Sequence, residues 1–251
     1  YELSSAVLLA DYIKGLYTSQ GSNGLYYHTS GLSNSAEDNS YRYYGADPNN
    51  YICFGSDESP CPEDKLYRII GVFGDEVKLI RSTEYSEYST GYYNPYWSDF
   101  LRDELNTFYY NTFSIVWQNK IATHTWKVGG LGYSTTNTAK QYYDEEIAGS
   151  SSSITDSVKI GLMYYSDYGF AVSNSYWSMT LNNYQSIENE NWLYLGLDEW
   201  YISDILLTAE VAEGKRPIVP PLLPLRPSFY LTPSTTYVSG SGSSADPIRI
   251  N

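Results

Sequence analysis

The sequence contains few of the residues on which metal and catalytic sites usually depend. Among 251 residues there are two histidines, His28 and His124, and two cysteines, Cys53 and Cys61. A tetrahedral zinc site takes four ligands, and the histidines show no ligand spacing with the cysteines. No run reaches the 18 apolar residues of a membrane-spanning helix, and no fixed-period repeat points to a solenoid or propeller.

Basic side chains are also scarce. The chain has 15 Lys and Arg against 29 Asp and Glu, which gives a formal net charge of −14. Phosphate groups of nucleic acids and anionic membranes would repel such a protein on average. Charged residues make up 18% of the chain, below the roughly 25% of ordinary soluble domains. The composition therefore argues against a nucleic-acid partner.

Tyrosine is the residue in excess, with 29 copies, and aromatic residues reach 17%. Exposed tyrosine supplies a large amphipathic contact area at low entropic cost, so we expect part of the tyrosines to form a recognition surface. The alternative is that they fill the faces of sheets. The tyrosine clusters are Tyr26-Tyr27, Tyr41-Tyr43-Tyr44, Tyr85-Tyr88, Tyr92-Tyr93-Tyr96 and Tyr142-Tyr143.

The two cysteines bound a short, turn-rich loop with the sequence CFGSDESPC. We interpret them as a disulfide, since a nine-residue ring closes easily and would stabilise the fold by about 2.5 kcal/mol in the chain-entropy picture. Two free thiols in a reducing compartment are the alternative. A disulfide, low charge and abundant Tyr, Ser, Asn and Gly together predict an exported protein, located outside the cell or on a cell or virion surface.

Hydrophobic patterning predicts a mixture of short helices and strands. Residues 4–17 have helical spacing after a serine that could cap, and LYRIIGVF-GDE-VKLIRS from Leu66 predicts a hairpin. We also expect one or two helices over 97–122 with a break near Asn111, and a short helix from Ala139 to Ile147. Residues 149–157 form a turn and not a linker, so one domain covers 1–251.

Prolines punctuate the last third of the chain. Five of them lie within residues 215–227, and they exclude helix interiors and central strands. We therefore predict irregular structure there, followed by final strands in SFYL, TYVS and DPIRI that close a sheet.

Several segments together resemble a family of tyrosine-rich secreted or surface proteins of gut bacteria and their phages, from about residue 40 to the end. They are NNYICFGSDESPCPEDKLYRIIGVF, NKIATHTWKVGG, KIGLMYYSDYGFA, NWLYLGLDEWYIS, RPSFYL and GSGSSADPIRI. The C-terminal half is similar to the C-type-lectin fold of formylglycine-generating-enzyme-like domains and of the variable proteins of diversity-generating retroelements. The resemblance implies an α+β, C-type-lectin-like fold with a mixed antiparallel sheet, short helices and long irregular loops.

In the retroelement proteins, ligand-facing variable residues lie between a Trp-containing motif and the last core strand. The resemblance places this segment at 201–226. Its charges and leucines follow no helical or strand period, and its prolines would reduce the entropy lost on binding. The alternative is that the leucines cover a small core under a long loop. The predicted ligand-binding residues are Trp200, Tyr201, Asp204, Leu206, Leu207, Glu210, Glu213, Lys215, Arg216, Ile218, Leu222, Leu223 and Leu225.

Signals of catalysis are weak by comparison. The formylglycine-generating enzymes rely on late cysteines, and none follows Cys61. The chain has no Gly-x-Ser-x-Gly motif either. A glycosidase could use Asp167, Asp198 and Glu199 near aromatic residues, although we expect Trp192 and Trp200 to pack in the core.

Calcium is a further alternative at two acidic stretches. These lie at residues 188–191 and 57–64, and neither matches an EF-hand loop or the Glu-Pro-Asn sugar motif. Solvated loops are the simpler interpretation, so no cofactor is predicted.

Taken together, these patterns predict a non-catalytic, surface-displayed protein for ligand binding or adhesion. Its partner would be a protein or glycan on another cell or surface. Two alternatives stay open: a self-associating subunit of an extracellular filament or appendage, and a glycan hydrolase.

Overall fold

An antiparallel sheet organises this mixed α+β chain. The structure is a computed structural model that describes residues 6–88, 97, 99–128, 137–149, 154–195 and 223–251. The strands are β1 Leu25–Tyr27, β2 Tyr41–Tyr43, β3 Tyr51–Cys53, β4 Leu66–Phe73, β5 Glu76–Arg81, β6 Ser86–Tyr88, β7 His124–Lys127, β8 Thr155–Val158, β9 Ile160–Gly161, β10 Leu223–Leu225, β11 Ser228–Leu231, β12 Tyr237–Ser239 and β13 Arg249–Ile250.

The helices are short. They are α1 Leu9–Leu16, α2 Asp99–Asp103, α3 Ile115–Gln118, α4 Ala139–Tyr143 and α5 Tyr165–Phe170. Helix α2 continues as π-helix and 3₁₀ turns to Thr112, and α4 continues as a π-helical segment to Ala148. Among the described residues, no helix is long and apolar enough to cross a membrane.

The main sheet has seven strands in the order β1-β2-β4-β5-β11-β9, and β3 pairs with β4 beyond the end of β2. Strands β4 and β5 form the predicted hairpin, with Gly74 at φ 62° in its turn. Glycine accepts this left-handed conformation without a Cβ clash. Strand β11 is the predicted SFYL strand, and it lies between β5 and β9.

The other predicted elements are confirmed in outline. The helical stretch in 97–122 breaks at Phe113, which is extended. Helix α4 starts at Thr138, whose side chain and that of Gln141 form a capping box. Cys53 and Cys61 form the predicted disulfide.

Two details of the prediction are wrong. Residues 155–157 do not belong to a turn, because they lie in β8, which pairs with β7. Residues 223–225 are not irregular, because β10 pairs with β6 in a two-stranded sheet, where an edge strand accepts Pro224. Of the predicted final strands, β11 lies in the main sheet, whereas β12 and β13 pair with each other.

The tyrosines of the described part pack into and around the core. Each tyrosine whose side chain is described is buried or half-buried. Tyr67 and Tyr109 hydrogen-bond to each other through their hydroxyls, and Tyr164 accepts a hydrogen bond from the backbone N–H of Lys127. Buried phenols are tolerated because the hydroxyl finds a partner while the ring packs. The cluster Tyr92-Tyr93-Tyr96 lies outside the described residues.

A buried histidine makes the stability of the fold dependent on pH. His28 is fully buried, stacks on Trp177 and accepts a hydrogen bond from the backbone N–H of Ala36 at Nδ1. Burial, assisted by the charge of Arg42, holds the pKa of His28 well below its ordinary value. Burial likewise lowers the pKa of His124 to about 4. The unfolded chain therefore binds more protons than the folded one as the pH falls below about 6.5.

We expect the free energy of unfolding to fall between pH 7 and pH 5.5, with at most about 1.4 kcal/mol per pH unit from each histidine. The substitution His28→Asn keeps an acceptor for the N–H of Ala36 but does not titrate. The free energy of unfolding of this variant should depend less on pH, even if lost packing lowers that free energy at pH 7.5. Urea unfolding at pH 7.5, 6.5 and 5.5 measures both slopes, and equal slopes would show that His28 is not the titrating group.

Candidate functional site

One row of three residues across the main sheet carries two buried cations, of which Arg42 lines a pocket. Arg42 on β2 pairs with Gly71 on β4, and Gly71 pairs with Lys78 on β5. The cations Arg42 and Lys78 therefore lie on either side of Gly71, which has no side chain. The carboxylate of Asp167, on α5, forms an ion pair with each of them.

The contacts of Asp167 are close and buried. Its Oδ1 lies 3.2 Å from Nη1 of Arg42, and its Oδ2 lies 2.5 Å from Nζ of Lys78. Oδ2 also accepts the backbone N–H of Tyr164 at 2.9 Å, which fixes the start of α5. Lys78 is 0% exposed, so its charge depends on this carboxylate for compensation. Burial lowers the pKa of Lys78.

Asp38 completes the network from the loop before β2. Its Oδ2 lies 2.7 Å from Nη2 of Arg42, and its Oδ1 accepts hydrogen bonds from the hydroxyl and N–H of Ser40. Burial opposes the charge of Asp38, but Arg42 and Ser40 outweigh it and lower its pKa to about 2. Burial also opposes the charge of Arg42, yet Asp38 and Asp167 hold its pKa above the ordinary value.

Aromatic rings surround these charges. Nζ of Lys78 lies 4.5 Å from the ring centre of Tyr164 and 5.4 Å from that of Tyr230. The guanidinium of Arg42 lies 4.6 Å from the ring centre of Phe73 and 5.7 Å from that of Tyr143. Such cation–π contacts partly replace the water that burial removes.

Next to these charges lies a cavity of about 170 Å³, here called the Asp167 pocket. Its lining combines Asp38, Arg42 and Asp167 with aromatic and polar side chains. The lining residues are Asp38, Arg42, Phe73, His124, Thr125, Lys127, Tyr143, Ile147, Tyr164, Ser166, Asp167 and Tyr230.

His124 forms one wall of the Asp167 pocket. Its ring stacks on Tyr230 at 3.7 Å between centres, and its Nδ1 lies 2.9 Å from Oε2 of Glu76. With its pKa lowered to about 4, the ring is neutral at pH 7. His124 is half-buried and is the first residue of β7.

A second, larger cavity is lined in part by the disulfide-bonded Cys53 and Cys61. It measures about 650 Å³ and lies between the 53–61 loop and the C-terminal residues 238–250, with Trp117 in its wall. We call it the disulfide cleft. Asp57, which belongs to one of the two acidic stretches considered for calcium, lines this cleft. Among the residues the structure describes, no group of three or more His, Cys, Asp or Glu side chains is arranged to hold a metal ion.

Most of the predicted ligand-binding segment lies outside the described residues. These positions are Trp200, Tyr201, Asp204, Leu206, Leu207, Glu210, Glu213, Lys215, Arg216, Ile218 and Leu222. Leu223 is in β10, opposite Tyr88. Leu225 is fully buried and its carbonyl accepts the N–H of Tyr85, so its side chain belongs to the core and not to a display surface.

Of the residues considered for glycoside hydrolysis, only Asp167 lies in the described part of the chain. Asp167 is held by two cations, whereas Asp198 and Glu199 lie outside the described residues. Trp192 is buried as expected and donates its indole N–H to the carbonyl of Tyr43. Trp200 lies outside.

Sequence reasoning named Asp167 but missed its partners. Lys78 stands within the apolar run of Val77, Leu79 and Ile80, and Arg42 stands between two tyrosines. A charged residue inside a strand that is otherwise buried is unusual unless it is paired, and this was the available signal. Asp167, the partner of Lys78, lies 89 residues further along the chain and shows no such signal.

Comparison of this chain with protein-family models, with curated proteins and with solved structures gives no match.

Proposed function

We propose that this chain is a non-catalytic ligand-binding protein displayed outside the cell, and that the Asp167 pocket receives one ring-sized group of its ligand. The proposal includes the C-type-lectin-like assignment of the fold and the contact role of the 201–222 segment. Both depend on the sequence resemblance and are compatible with the mixed antiparallel sheet and the disulfide.

The observation that carries the proposal is the state of the carboxylates in the pocket. Asp38 and Asp167 line it, and both are already bound to Arg42. A general acid or base has to exchange a proton with its substrate, and either carboxylate would first have to give up its cation. Carboxylates that are already ion-paired, in a pocket lined by aromatic side chains, favour ligand binding over proton transfer.

The size of the pocket restricts what it can bind. A cavity of about 150 Å³ holds a benzene molecule, so about 170 Å³ accommodates a single six-membered ring. The walls include the side chains of Tyr143, Tyr164 and Tyr230. A single sugar ring or an aromatic side chain of a ligand fits both the size and the walls.

A tryptophan at the rim should close the pocket. Thr125 lines it and is exposed, whereas Ser157, directly opposite on β8, is exposed but not part of the lining. Saturation-transfer NMR with free hexoses, N-acetylhexosamines and aromatic amino acids should detect at least one weak ligand. We expect Thr125→Trp to weaken the binding of that ligand at least tenfold and Ser157→Trp to leave its binding unchanged. Absence of any ligand in this panel, or equal loss in both variants, would contradict the proposal.

One observation favours the filament alternative. Phe108, Ile115 and Val116 are large apolar side chains, and each is more than 60% exposed. Such residues on a self-associating surface would be covered by a second copy. Concentration-dependent polymerisation of the purified protein would favour this function over a monomeric binding protein.

A further inference from the structure

We propose that the disulfide cleft is a second binding site and that it takes an uncharged glycan. Its volume of about 650 Å³ lies within the range of roughly 300–1,000 Å³ typical of ligand sites. The cleft shares no lining residue with the Asp167 pocket, so this second site goes beyond the function proposed above.

The walls of the cleft are fixed by covalent and backbone bonds. The disulfide ties Cys53 to Cys61 on one side. Strand β3 is joined to the C-terminal segment by hydrogen bonds from Cys53 N–H to the carbonyl of Ile248 and from Ile248 N–H to the carbonyl of Tyr51. A cleft held in this way loses little conformational entropy when a ligand binds.

Arg249 lines the cleft and carries an unpaired guanidinium nitrogen. Its buried Nη1 has no hydrogen-bond partner among the residues that the structure describes. Buried donors are nearly always satisfied, and an exception calls for an explanation such as a missing ligand. Guanidinium nitrogens only donate, so the partner must present an acceptor oxygen.

Carboxylates and hydroxyls in the same cleft provide hydrogen-bond acceptors. Asp57 and Asp246 line it together with Ser59, Ser239 and Ser244. Two carboxylates that accept, one guanidinium that donates and serines that do both match a ligand whose neighbouring hydroxyls donate and accept. Sugars have this pattern.

The charge of the protein selects against an anionic ligand. The chain carries a formal charge of −14, and the two carboxylates in the cleft outnumber its arginine. An acidic sugar would meet repulsion that a neutral one avoids. Trp117 and Val238 add apolar contacts of the kind that the C–H face of a sugar ring makes with aromatic side chains.

An array of uncharged and sialylated oligosaccharides, probed with the labelled full chain, tests this proposal, and calorimetry then measures the best uncharged ligand. We expect Arg249→Met to weaken its binding at least tenfold, while the matched variant Arg102→Met, outside the cleft lining, binds as wild type. Since the Nη1 of Arg249 has no hydrogen-bond partner among the described residues, the thermal midpoint of Arg249→Met should not fall, which separates a ligand-binding role from a structural one.

A second variant protects the test against misfolding of the first. Ala245 is exposed and lines the cleft, so Ala245→Trp should obstruct it without altering Arg249 and should weaken binding similarly. Thr125→Trp in the Asp167 pocket should leave glycan binding intact, so the two sites can fail independently. Binding of sialylated glycans alone, of no glycan, or equal binding by wild type and both cleft variants would overturn the proposal.

Discussion

The substitution Asp167→Asn is expected to destabilise the protein by about 3–5 kcal/mol. Urea unfolding at pH 7.5 should show this as a lower midpoint with an unchanged slope. Asparagine has nearly the shape of aspartate, so the loss measures the charge and not the volume of the side chain.

The size of the effect follows from burial. Lys78 is 0% exposed and Arg42 is 3% exposed, and Asp167 contacts both. Without the carboxylate, the ammonium of Lys78 stays in the interior with aromatic rings as its main remaining compensation. An uncompensated buried charge is far more costly than a lost surface ion pair.

A surface pair provides the matched control. Lys14 and Asp75 also form an ion pair at 3.1 Å, but their side chains are 30% and 78% exposed. Asp75→Asn should therefore cost less than about 1 kcal/mol. In the double variant Lys78→Met/Asp167→Asn, part of the stability lost in Asp167→Asn should return because one buried charge is removed with its partner. A loss below 1 kcal/mol for Asp167→Asn alone would mean that the network does not stabilise the fold.

Local features were predictable because they depend on neighbours in the chain. The β4–β5 hairpin follows from two β-branched runs around a Gly-Asp turn, and the disulfide follows from a short ring with Gly55 and Pro60. A short helix from Ala139 was also expected, and α4 begins there. Each of these signals lies within about 20 residues of sequence.

The candidate site depends on strand order and register, which the sequence does not display. Arg42 and Lys78 approach each other only because β4 lies between β2 and β5 and places Gly71 in their row. Arg249 gains its role from a contact of the C-terminus with the 53–61 loop. Neither arrangement has a local pattern.

The high tyrosine content did not by itself show which tyrosines lie in the core and which lie at the surface. Composition counts rings but not their hydroxyl partners, and some of those partners come from distant parts of the chain. Tyr26 bonds to Asn174, and Tyr67 bonds to Tyr109. A hydroxyl with such a partner lets its ring pack half-buried or buried, and in the described residues every tyrosine with a described side chain packs in one of these two ways.

The substitution Gly71→Ala is expected to destabilise the protein by about 3 kcal/mol, the upper end of the usual range for overpacking. A Cβ at this position would lie 2.3 Å from the backbone oxygen of Tyr41 and 3.2 Å from Cα of Arg42. Backbone atoms cannot rotate away as a side chain can, so β2 would have to shift. The shift would also draw Arg42 away from Asp167.

Gly15 offers the opposite case in the same chain. It lies in the last turn of α1, and a Cβ there meets nothing within 4 Å. Gly15→Ala should therefore stabilise the protein by up to about 1 kcal/mol, because alanine restricts the unfolded chain and favours helix. Urea unfolding of both variants measures the two opposite shifts. A change smaller than 0.5 kcal/mol in Gly71→Ala would show that β2 yields without cost.

Amide hydrogen exchange locates the damage. In Gly71→Ala, exchange should accelerate in β1 and β2, which depend on the contact of Tyr41 and Arg42 with β4. Strands β5 and β11 lie on the other side of β4 and should keep their protection relative to global unfolding. Equal acceleration in all four strands would instead mean that the glycine acts on the whole sheet and not on the junction where the two cations meet Asp167.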